Sequence, residues 1–392
     1  MAQGMDYGLT ETQEMIRDLG RQVADEKIKP VAAHHDETGE FPWEIIKVLA
    51  DADLMGVYIP EEYGGSADGT PGMNMCLLAE ELSRACAGIA LAFAATGLGT
   101  LPILLSGSDE QKKRFLPDIA GGKRLAAFGI TEANAGSDAA SIQTTAVKDG
   151  DTYVINGTKQ WISNGGEAEV YTVFAMTDRT RGARGATAFI LEKGMDGFSF
   201  GKKEDKLGIR GSTTRELVFE DVRVPEANRL GREGTGFMIA MKTFDVSRPG
   251  VAAQAVGIAQ GALDCAVNYA HTRKQFGKSI ASFQGVGFML ADMAMKIEAA
   301  RALVYATARH IDGGAKRPTK YSAMSKCFAS DVAMQVTTDA IQVLGGYGYM
   351  KEYPVEKYFR DAKVTQIYEG TNQIQRDEIA RALIKEAAGR KS

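Results

Sequence analysis

The spacing of apolar residues changes twice along the chain, and each change marks a candidate domain boundary. From about residue 10 to residue 122 the spacing is mostly that of helices. Apolar residues recur from Met15 to Val23 at the interval of one helix face. Just before them, Thr10 and Gln13 match a capping box, in which each side chain bonds the other residue's amide. The sequence therefore predicts a helical N-terminal domain over residues 1–122.

The apolar period shortens to two in the middle of the chain, over residues 123–232. Alternating segments at 170–175, 186–191 and 216–224 predict strands that are short and are joined without intervening helices. Asn156-Gly157, flanked by alternating residues, is typical of the tight turn of a β-hairpin. An antiparallel β domain is predicted here, as an open sheet or a barrel.

Helical spacing returns over residues 233–392, interrupted by predicted loops at 273–283, 312–318 and 344–354. Residues 288–298 are apolar around most of the helix circumference, as in helices at the centre of a bundle. We therefore expect a C-terminal helical bundle and an α+β chain of three domains.

Composition and charge exclude several classes of protein. The chain has 392 residues, with 46 Lys and Arg against 50 Asp and Glu, a net charge of −4. This balance gives no electrostatic reason to expect binding to nucleic acid or to a membrane surface. The four cysteines form no CxxC pair, so we expect neither a disulfide framework nor a metal site. The first residues have no basic segment and no apolar run, which favours a cytoplasmic protein, or a mitochondrial matrix protein if it is eukaryotic and processed.

One uncharged stretch, from Ala85 to Ser108, is long enough to span a bilayer. Glycines, threonines and Pro102 interrupt it, and no aromatic belt flanks it. We predict a buried, broken helix beside a cavity, and no membrane span.

Several common catalytic motifs are absent from the sequence. Gly277-Lys278-Ser279 resembles the end of a P-loop, but the first glycine of that motif would fall on Thr272. No GxGxxG follows a predicted strand, GxSxG is missing, and the four histidines form no HExxH. Acid–base chemistry is therefore expected from a carboxylate.

Four segments carry candidate chemistry. Glu369 lies in Tyr-Glu-Gly-Thr-Asn, where Thr371-Asn372 can cap the following helix and apolar neighbours can raise the pKa of the carboxylate. Residues 128–138 form a loop rich in glycine and hydroxyl groups, suited to a flat or anionic cofactor. Trp161-Ile-Ser163 adds an aromatic ring and a hydroxyl. Residues 273–277 (Arg-Lys-Gln-Phe-Gly) add a guanidinium group beside an aromatic ring, which suits a pyrophosphate and an adjacent ring. Taken singly, each segment is more often a core, loop or surface feature.

Taken together and in this order, these segments resemble the acyl-CoA dehydrogenase family over nearly the whole chain. The resemblance implies an N-terminal helical domain, a middle antiparallel β domain and a C-terminal four-helix bundle. It also implies one FAD per subunit, a homotetramer, an acyl-CoA substrate, a role in fatty acid metabolism, and electron-transferring flavoprotein as the electron acceptor.

The resemblance transfers roles to individual positions. Glu369 matches the catalytic base. FAD contacts are implied for Phe128, Ile130, Thr131, Gly136, Ser137, Trp161, Ile162, Ser163, Arg273, Gln275, Phe276, Phe283, Gln284, Gln342, Gly345, Gly346, Thr371 and Gln373. Of these, the segment around Arg273 and Phe276 matches one that reaches the FAD of a neighbouring subunit. Substrate contacts are implied for Ser137, Asp245, Arg248, Gly370 and Arg381. One departure is Ala133, where many relatives have proline.

The implied reaction is α,β-dehydrogenation of an acyl-CoA, with Glu369 removing the α-proton and flavin N5 taking the β-hydride. Some branches of the family place the base at the position matching Ser247, which cannot serve as one. Alternatives on the same fold are an enzyme working in the enoyl-CoA reducing direction, a decarboxylating relative, or a catalytically dead acyl-CoA-binding protein. Phe93 is predicted to truncate the acyl tunnel, which favours short- to medium-chain, branched or alicyclic substrates over long ones.

Overall fold

The computed structural model describes residues 5–389, so residues 1–4, on which the expectation about export signals partly rests, lie outside it. The N-terminal part is helical, with α1 at Glu11–Val23, α2 at Ala32–Thr38, α3 at Trp43–Asp51, α4 at Pro71–Ser106 and α5 at Asp109–Ala120. The capping box predicted at the start of α1 is confirmed. The Gln13 amide donates to the Thr10 hydroxyl at 3.2 Å, and the Thr10 amide donates to the Gln13 side chain at 3.2 Å.

The uncharged stretch forms the second half of α4, which is buried as predicted. The break lies at Cys86, which has extended backbone angles (φ −161°, ψ 109°), and not at the later glycines or at Pro102. Two side chains from other helices bind carbonyls at this break. The Tyr358 hydroxyl donates to the Arg84 carbonyl at 2.7 Å, and the Gln254 amide donates to the Ala87 carbonyl at 3.3 Å.

Residues 126–230 form an eight-stranded sheet. The strands are β1 at Ala126–Gly129, β2 at Thr145–Asp149, β3 at Thr152–Ser163, β4 at Val170–Met176, β5 at Ala186–Glu192, β6 at Phe198–Lys203, β7 at Thr214–Pro225 and β8 at Arg229–Leu230. Their order is β6-β7-β3-β2-β4-β5-β8, with β1 on β4. Most pairs are antiparallel as predicted, but β1 and β2 each pair with β4 in parallel.

The hairpin predicted at Asn156-Gly157 is wrong, because β3 runs straight through this dipeptide. The Asn156 side chain bonds across to β7, donating to the Asp221 carboxylate at 2.9 Å and accepting from the Asp221 amide at 2.8 Å. The β3–β7 register shifts at this point because two residues of β7, Glu220 and Asp221, lie opposite Asn156, so the bulge is in β7 and faces the dipeptide. The turn between β2 and β3 lies instead at residues 150–151.

The C-terminal part is the predicted four-helix bundle. Its long helices are α6 at Gly236–Thr272, α7 at Gln284–Asp312, α8 at Thr319–Leu344 and α10 at Asn372–Gly389, with the shorter α9 at Val355–Thr365 before α10. The three predicted loops fall between these helices, and the first contains a small hairpin of β9 (Lys274–Gln275) and β10 (Lys278–Ser279).

Helices α4 and α6 are both long and apolar enough to cross a membrane, yet 78% of each apolar segment is buried inside the protein. The two helices can pack closely because Gly257 of α6 has no side chain. A Cβ atom at this position would lie only 2.2 Å from the Glu80 carbonyl oxygen of α4. The candidate active site lies between these two helices and the sheet.

Candidate active site

A cavity of about 170 Å³ lies where α4, α6, the loop after β1, the end of β3 and the turn before α10 meet. Its lining is largely apolar, and Glu369 is the one Asp, Glu, Lys, Arg or His residue among the residues that line it. The lining comprises Met75, Ala79, Leu91, Ala94, Ala95, Leu98, Phe128, Ile130, Thr131, Gly136, Ala139, Trp161, Ile162, Ser163, Phe244, Ser247, Gly250, Val251, Gln254, Tyr368 and Glu369.

The structure brings eight of the sequence-predicted site residues together in this cavity. Seven come from the β domain, namely Phe128, Ile130, Thr131, Gly136, Trp161, Ile162 and Ser163, and Glu369 faces them from the C-terminal domain. Trp161 is 58% exposed and has a left-handed backbone (φ +57°), which is costly for a bulky residue. The hydroxyls of Thr131 and Ser163 bond to no other group within residues 5–389. This wall therefore offers unused polar groups and an uncovered aromatic ring.

A buried ion pair beneath this wall was not anticipated from the sequence. The Lys159 ammonium donates to the Glu132 carboxylate at 2.7 Å and to the Ile130 carbonyl at 3.1 Å. Glu132 also accepts from the Thr144 hydroxyl at 2.6 Å. Burial lowers the pKa of Lys159 to about 8, while the pKa of Glu132, which burial alone would raise, is lowered by Lys159. Lys159 shares the strand face of the buried Tyr153, and this period-two placement is the signal that could have revealed it.

The Glu369 side chain is held by the middle of α6. The Ser247 hydroxyl donates to the Glu369 carboxylate at 2.5 Å, and the Arg248 guanidinium donates to the Glu369 carbonyl at 3.2 Å. Burial raises the pKa of Glu369, opposed by the Ser247 hydrogen bond and by the positive charges of Arg248 and Lys326. A partly desolvated carboxylate of this kind is suited to proton transfer.

The backbone around Glu369 is a tight turn. Glu369 and Gly370 both have left-handed angles (φ +51° and +92°), and a side chain at Gly370 would lie 2.7 Å from the Gln375 amide. The predicted cap is confirmed, since the Thr371 hydroxyl accepts from the Ile374 amide at 3.3 Å. Asn372, predicted as part of this cap, accepts a hydrogen bond from Lys326 at 3.0 Å. The buried Lys326, which also binds the Gly370 carbonyl, was missed because nothing in its sequence context marks it.

A second group of predicted residues lies elsewhere on the chain. Arg273, Gln275, Gly345 and Gly346 line an open pocket of about 430 Å³, and the Arg273 guanidinium lies 5.3 Å from the centre of the Tyr347 ring. This pocket shares no lining residue with the first cavity. Beside it, Phe276 is 91% exposed and meets Phe283 edge-on. The exposed Gln342 and Gln284 lie near the end of α8 and at the start of α7.

The remaining predicted residues are not part of the cavity lining. Ser137 and Gln373 are exposed, and Arg381 is exposed on α10, where it pairs with Asp377 at 2.8 Å. Asp245 accepts from the Thr319 hydroxyl at 2.8 Å. Their implied contacts with cofactor or substrate stay predictions.

The prediction that Phe93 truncates the tunnel is wrong. Phe93 is fully buried, packs edge-on against Tyr58, and is absent from the lining. Leu91 and Leu98 line the cavity instead, and they lie on the same face of α4 because they are seven residues apart. Phe93 follows Leu91 by two residues and so points roughly 200° away around the helix.

Comparison with known proteins matches three family models to the chain. The acyl-CoA dehydrogenase N-terminal domain matches residues 10–123, the middle domain 127–222 and the C-terminal domain 234–384.

Two individual relatives match this chain over nearly its whole length. The short-chain specific acyl-CoA dehydrogenase of Megasphaera elsdenii is 50% identical, covering 95% of this chain and 97% of that protein. The acryloyl-CoA reductase (NADH) of Anaerotignum propionicum is 49% identical, covering 97% of this chain and 96% of that protein.

Three solved structures are also similar. The butyryl-CoA dehydrogenase of M. elsdenii has a TM-score of 0.94 and 49% identity, covering 97% of this chain and all of that chain. A chain in a structure of the electron transferring flavoprotein of Acidaminococcus fermentans has a TM-score of 0.94 and 51% identity over 97% of this chain and 99% of that one. An acyl-CoA dehydrogenase complexed with FAD from Bacillus anthracis has a TM-score of 0.92 and 34% identity over 99% of this chain and 69% of that one. Matches of this extent, on a fold whose cavity places a carboxylate opposite a hydroxyl-lined wall, show that the chain belongs to the acyl-CoA dehydrogenase family.

Proposed function

We propose that this protein is an FAD-dependent dehydrogenase that converts short-chain acyl-CoA thioesters to 2,3-enoyl-CoA, with Glu369 as the base. The observation that carries the proposal is the position of the Glu369 carboxylate. It lies in a largely apolar cavity, where it accepts a hydrogen bond from Ser247 and shares the lining with Thr131, Trp161 and Ser163.

The residues of this wall fit a flavin. Thr131 and Ser163 have hydroxyls free to bond the polar edge of the ring, and the exposed Trp161 ring can lie against it. Nothing lies within 4 Å of a side chain built at Gly136, so the backbone there is open to close approach. When bound, FAD supplies the acceptor for the hydride that leaves the β-carbon.

The chain's own groups handle the proton and the developing charge. The α-hydrogen of a thioester is weakly acidic, and Glu369 can accept it because its carboxylate is partly desolvated and is oriented by Ser247. The Glu369 amide bonds to no acceptor within residues 5–389, so it is available to the thioester oxygen as that oxygen gains negative charge. The apolar lining excludes water and strengthens both interactions.

The position of Gln254 in the cavity lining argues for a short acyl group. Along α6, Gln254 lies seven residues beyond Ser247, a distance of about 10 Å. Gln254 is buried and fixed, since its oxygen accepts from the Tyr368 hydroxyl and its amide holds the Ala87 carbonyl. The short-chain and butyryl-CoA dehydrogenases of M. elsdenii are consistent with this limit.

The position of Leu98 gives a test of chain-length control. We expect Leu98→Ala to improve use of longer substrates, with each further buried methylene gaining up to about 0.8 kcal/mol, or about fourfold in kcat/KM. Phe93→Leu is the matched control from the same helix, since it faces away from the cavity and should leave the preference unchanged. Kinetics with acyl-CoAs of four to ten carbons measure both variants, and a shift in the Phe93 variant alone would contradict this assignment.

The proposed activity is tested by adding acyl-CoAs to the FAD-loaded protein and following the loss of flavin absorbance. Butyryl-CoA should bleach the flavin rapidly. Glutaryl-CoA should do so poorly, because no basic group of the lining compensates a buried carboxylate. A flavin that no acyl-CoA bleaches would contradict the proposal and favour a binding protein that has lost catalysis.

The relative from A. propionicum supports a second candidate, net reduction of an enoyl-CoA. The same groups would act in reverse, with protonated Glu369 returning a proton to the α-carbon. Comparing butyryl-CoA oxidation with crotonyl-CoA reduction by chemically reduced enzyme would separate the two directions. Electron-transferring flavoprotein stays the proposed redox partner, supported by the similar chain in the A. fermentans structure.

The separate pocket at Arg273 supports a homotetramer in which one subunit contributes to the FAD site of another. If so, FAD binding and subunit assembly are linked thermodynamically. Arg273→Ala should then weaken both, and excess FAD should partly restore assembly. Light scattering and FAD content measure the effect, with Lys274→Ala in the same hairpin as the control. An Arg273 variant that stays assembled with one FAD per subunit would contradict this role.

A further inference from the structure

The turn that presents Glu369 is held from behind by a buried lysine of α8. Lys326 is fully buried, and its ammonium donates to the Gly370 carbonyl at 2.8 Å and to the Asn372 side-chain oxygen at 3.0 Å. Asn372 is itself anchored, donating to the Ser330 hydroxyl at 2.9 Å and to the Asp331 carboxylate at 2.8 Å. The lysine thus connects the turn to a rigid helix.

This arrangement matters because the turn is strained. Glu369 has a left-handed backbone without being glycine, which is unfavourable unless surrounding contacts enforce it. Three side chains bind the two carbonyls of the turn: Arg248 and Gln375 that of Glu369, and Lys326 and Gln375 that of Gly370. Of these three, Lys326 is the one that ties the turn to α8, since Arg248 belongs to α6 and Gln375 to α10.

We propose that Lys326 is a positioning residue for the reaction, which keeps the Glu369 carboxylate and amide aimed into the cavity by holding the Gly370 carbonyl. The inference rests on the proposed function. Lys326 does not line the cavity, and its ammonium bonds the Gly370 carbonyl and Asn372 but not the Glu369 carboxylate, so it acts through the turn.

The positive charge of Lys326 has a second, measurable effect on Glu369. Burial raises the pKa of Glu369, and the charges of Arg248 and Lys326 lower it. Catalysis needs the ionised carboxylate, so removing Lys326 should move the acidic limb of the rate profile to higher pH. Several titratable or hydrogen-bonding groups act on this carboxylate, either directly or through Arg248 and Lys326. They are Asp245, Ser247 and Arg248 on α6, Lys326, Cys327 and Asp331 on α8, Tyr368 beside Glu369, and Glu378 on α10.

The test uses Lys326→Met and Lys326→Gln in the FAD-loaded protein, with flavin reduction by butyryl-CoA followed by stopped flow across pH. We expect both variants to retain FAD. Flavin reduction should be about 10- to 100-fold slower because the Glu369 carboxylate is less precisely positioned. The acidic limb of the rate profile should lie at higher pH in both variants. Glutamine keeps an N–H donor and should lose less rate than methionine. Lys320→Met, on the same helix and paired with Glu386 at 2.6 Å, removes the same charge without contacting the turn and should leave the profile unchanged.

Folded, FAD-loaded Lys326 variants with the wild-type rate and pH profile would overturn the proposal. So would failure of both variants to retain FAD, which would make Lys326 a folding residue. If wild-type flavin is not bleached by any acyl-CoA, the proposed function itself fails, and that outcome is distinct from both of these.

Discussion

Glu369→Gln should leave the protein yellow and able to bind acyl-CoA, while slowing flavin reduction by at least about a hundredfold. Glutamine has nearly the size of glutamate and can still accept from Ser247, but it cannot take up a proton. The loss is therefore expected in the reduction step and not in binding. Stopped-flow reduction by butyryl-CoA, together with titration of a product-like enoyl-CoA, separates the two quantities.

A suitable control for this substitution is Glu386→Gln, which removes a carboxylate near the end of α10 that pairs with Lys320. It should reduce at the wild-type rate. Near-normal flavin reduction by the Glu369 variant would place the base elsewhere and remove the central assignment.

Lys159→Met should cause the largest loss of stability, about 3–5 kcal/mol in the free energy of unfolding, because it leaves Glu132 buried without its cation. Lys159 is fully buried and Glu132 nearly so. Since the pair lies beneath the Thr131 loop, FAD should also dissociate more readily. Chemical unfolding followed by circular dichroism, with flavin fluorescence as a second signal, measures both effects.

The double variant Lys159→Met/Glu132→Gln should recover much of the lost stability, because no uncompensated charge remains. Lys148→Met is the surface control, as its pair with Glu226 is exposed to solvent and should contribute little. If Lys159→Met unfolds at the wild-type denaturant concentration, the pair does not support the cavity wall.

The features predicted correctly from the sequence depend on neighbouring residues. The Thr10 capping box and the Thr371 cap involve residues three apart, so their local pattern suffices. The hairpin prediction at Asn156-Gly157 failed because the side-chain partner of Asn156 is Asp221, 65 residues away on the bulged strand β7, and β3 continues through the dipeptide. Tertiary partners of this kind leave no mark in a single sequence.

The candidate site shows the same division. Eight of the residues that line the cavity came from segments with recognisable motifs, and the structure brings them together. Phe93 failed because periodicity tells which residues share a helix face, not which face meets a ligand. Lys159 and Lys326 were missed because each supports a loop 29 or 44 residues away along the chain.

The break in α4 has a consequence for how substrate preference can evolve. Gln254 lines the cavity, where we propose that it limits the acyl chain, and it also binds the Ala87 carbonyl next to the break. A smaller residue at position 254 would deepen the cavity but leave a buried carbonyl unsatisfied, which costs roughly 1–3 kcal/mol. The Leu98 side chain has no polar group that satisfies a buried carbonyl. Adaptation to longer substrates should therefore cost less stability by substitution of Leu98 than by substitution of Gln254.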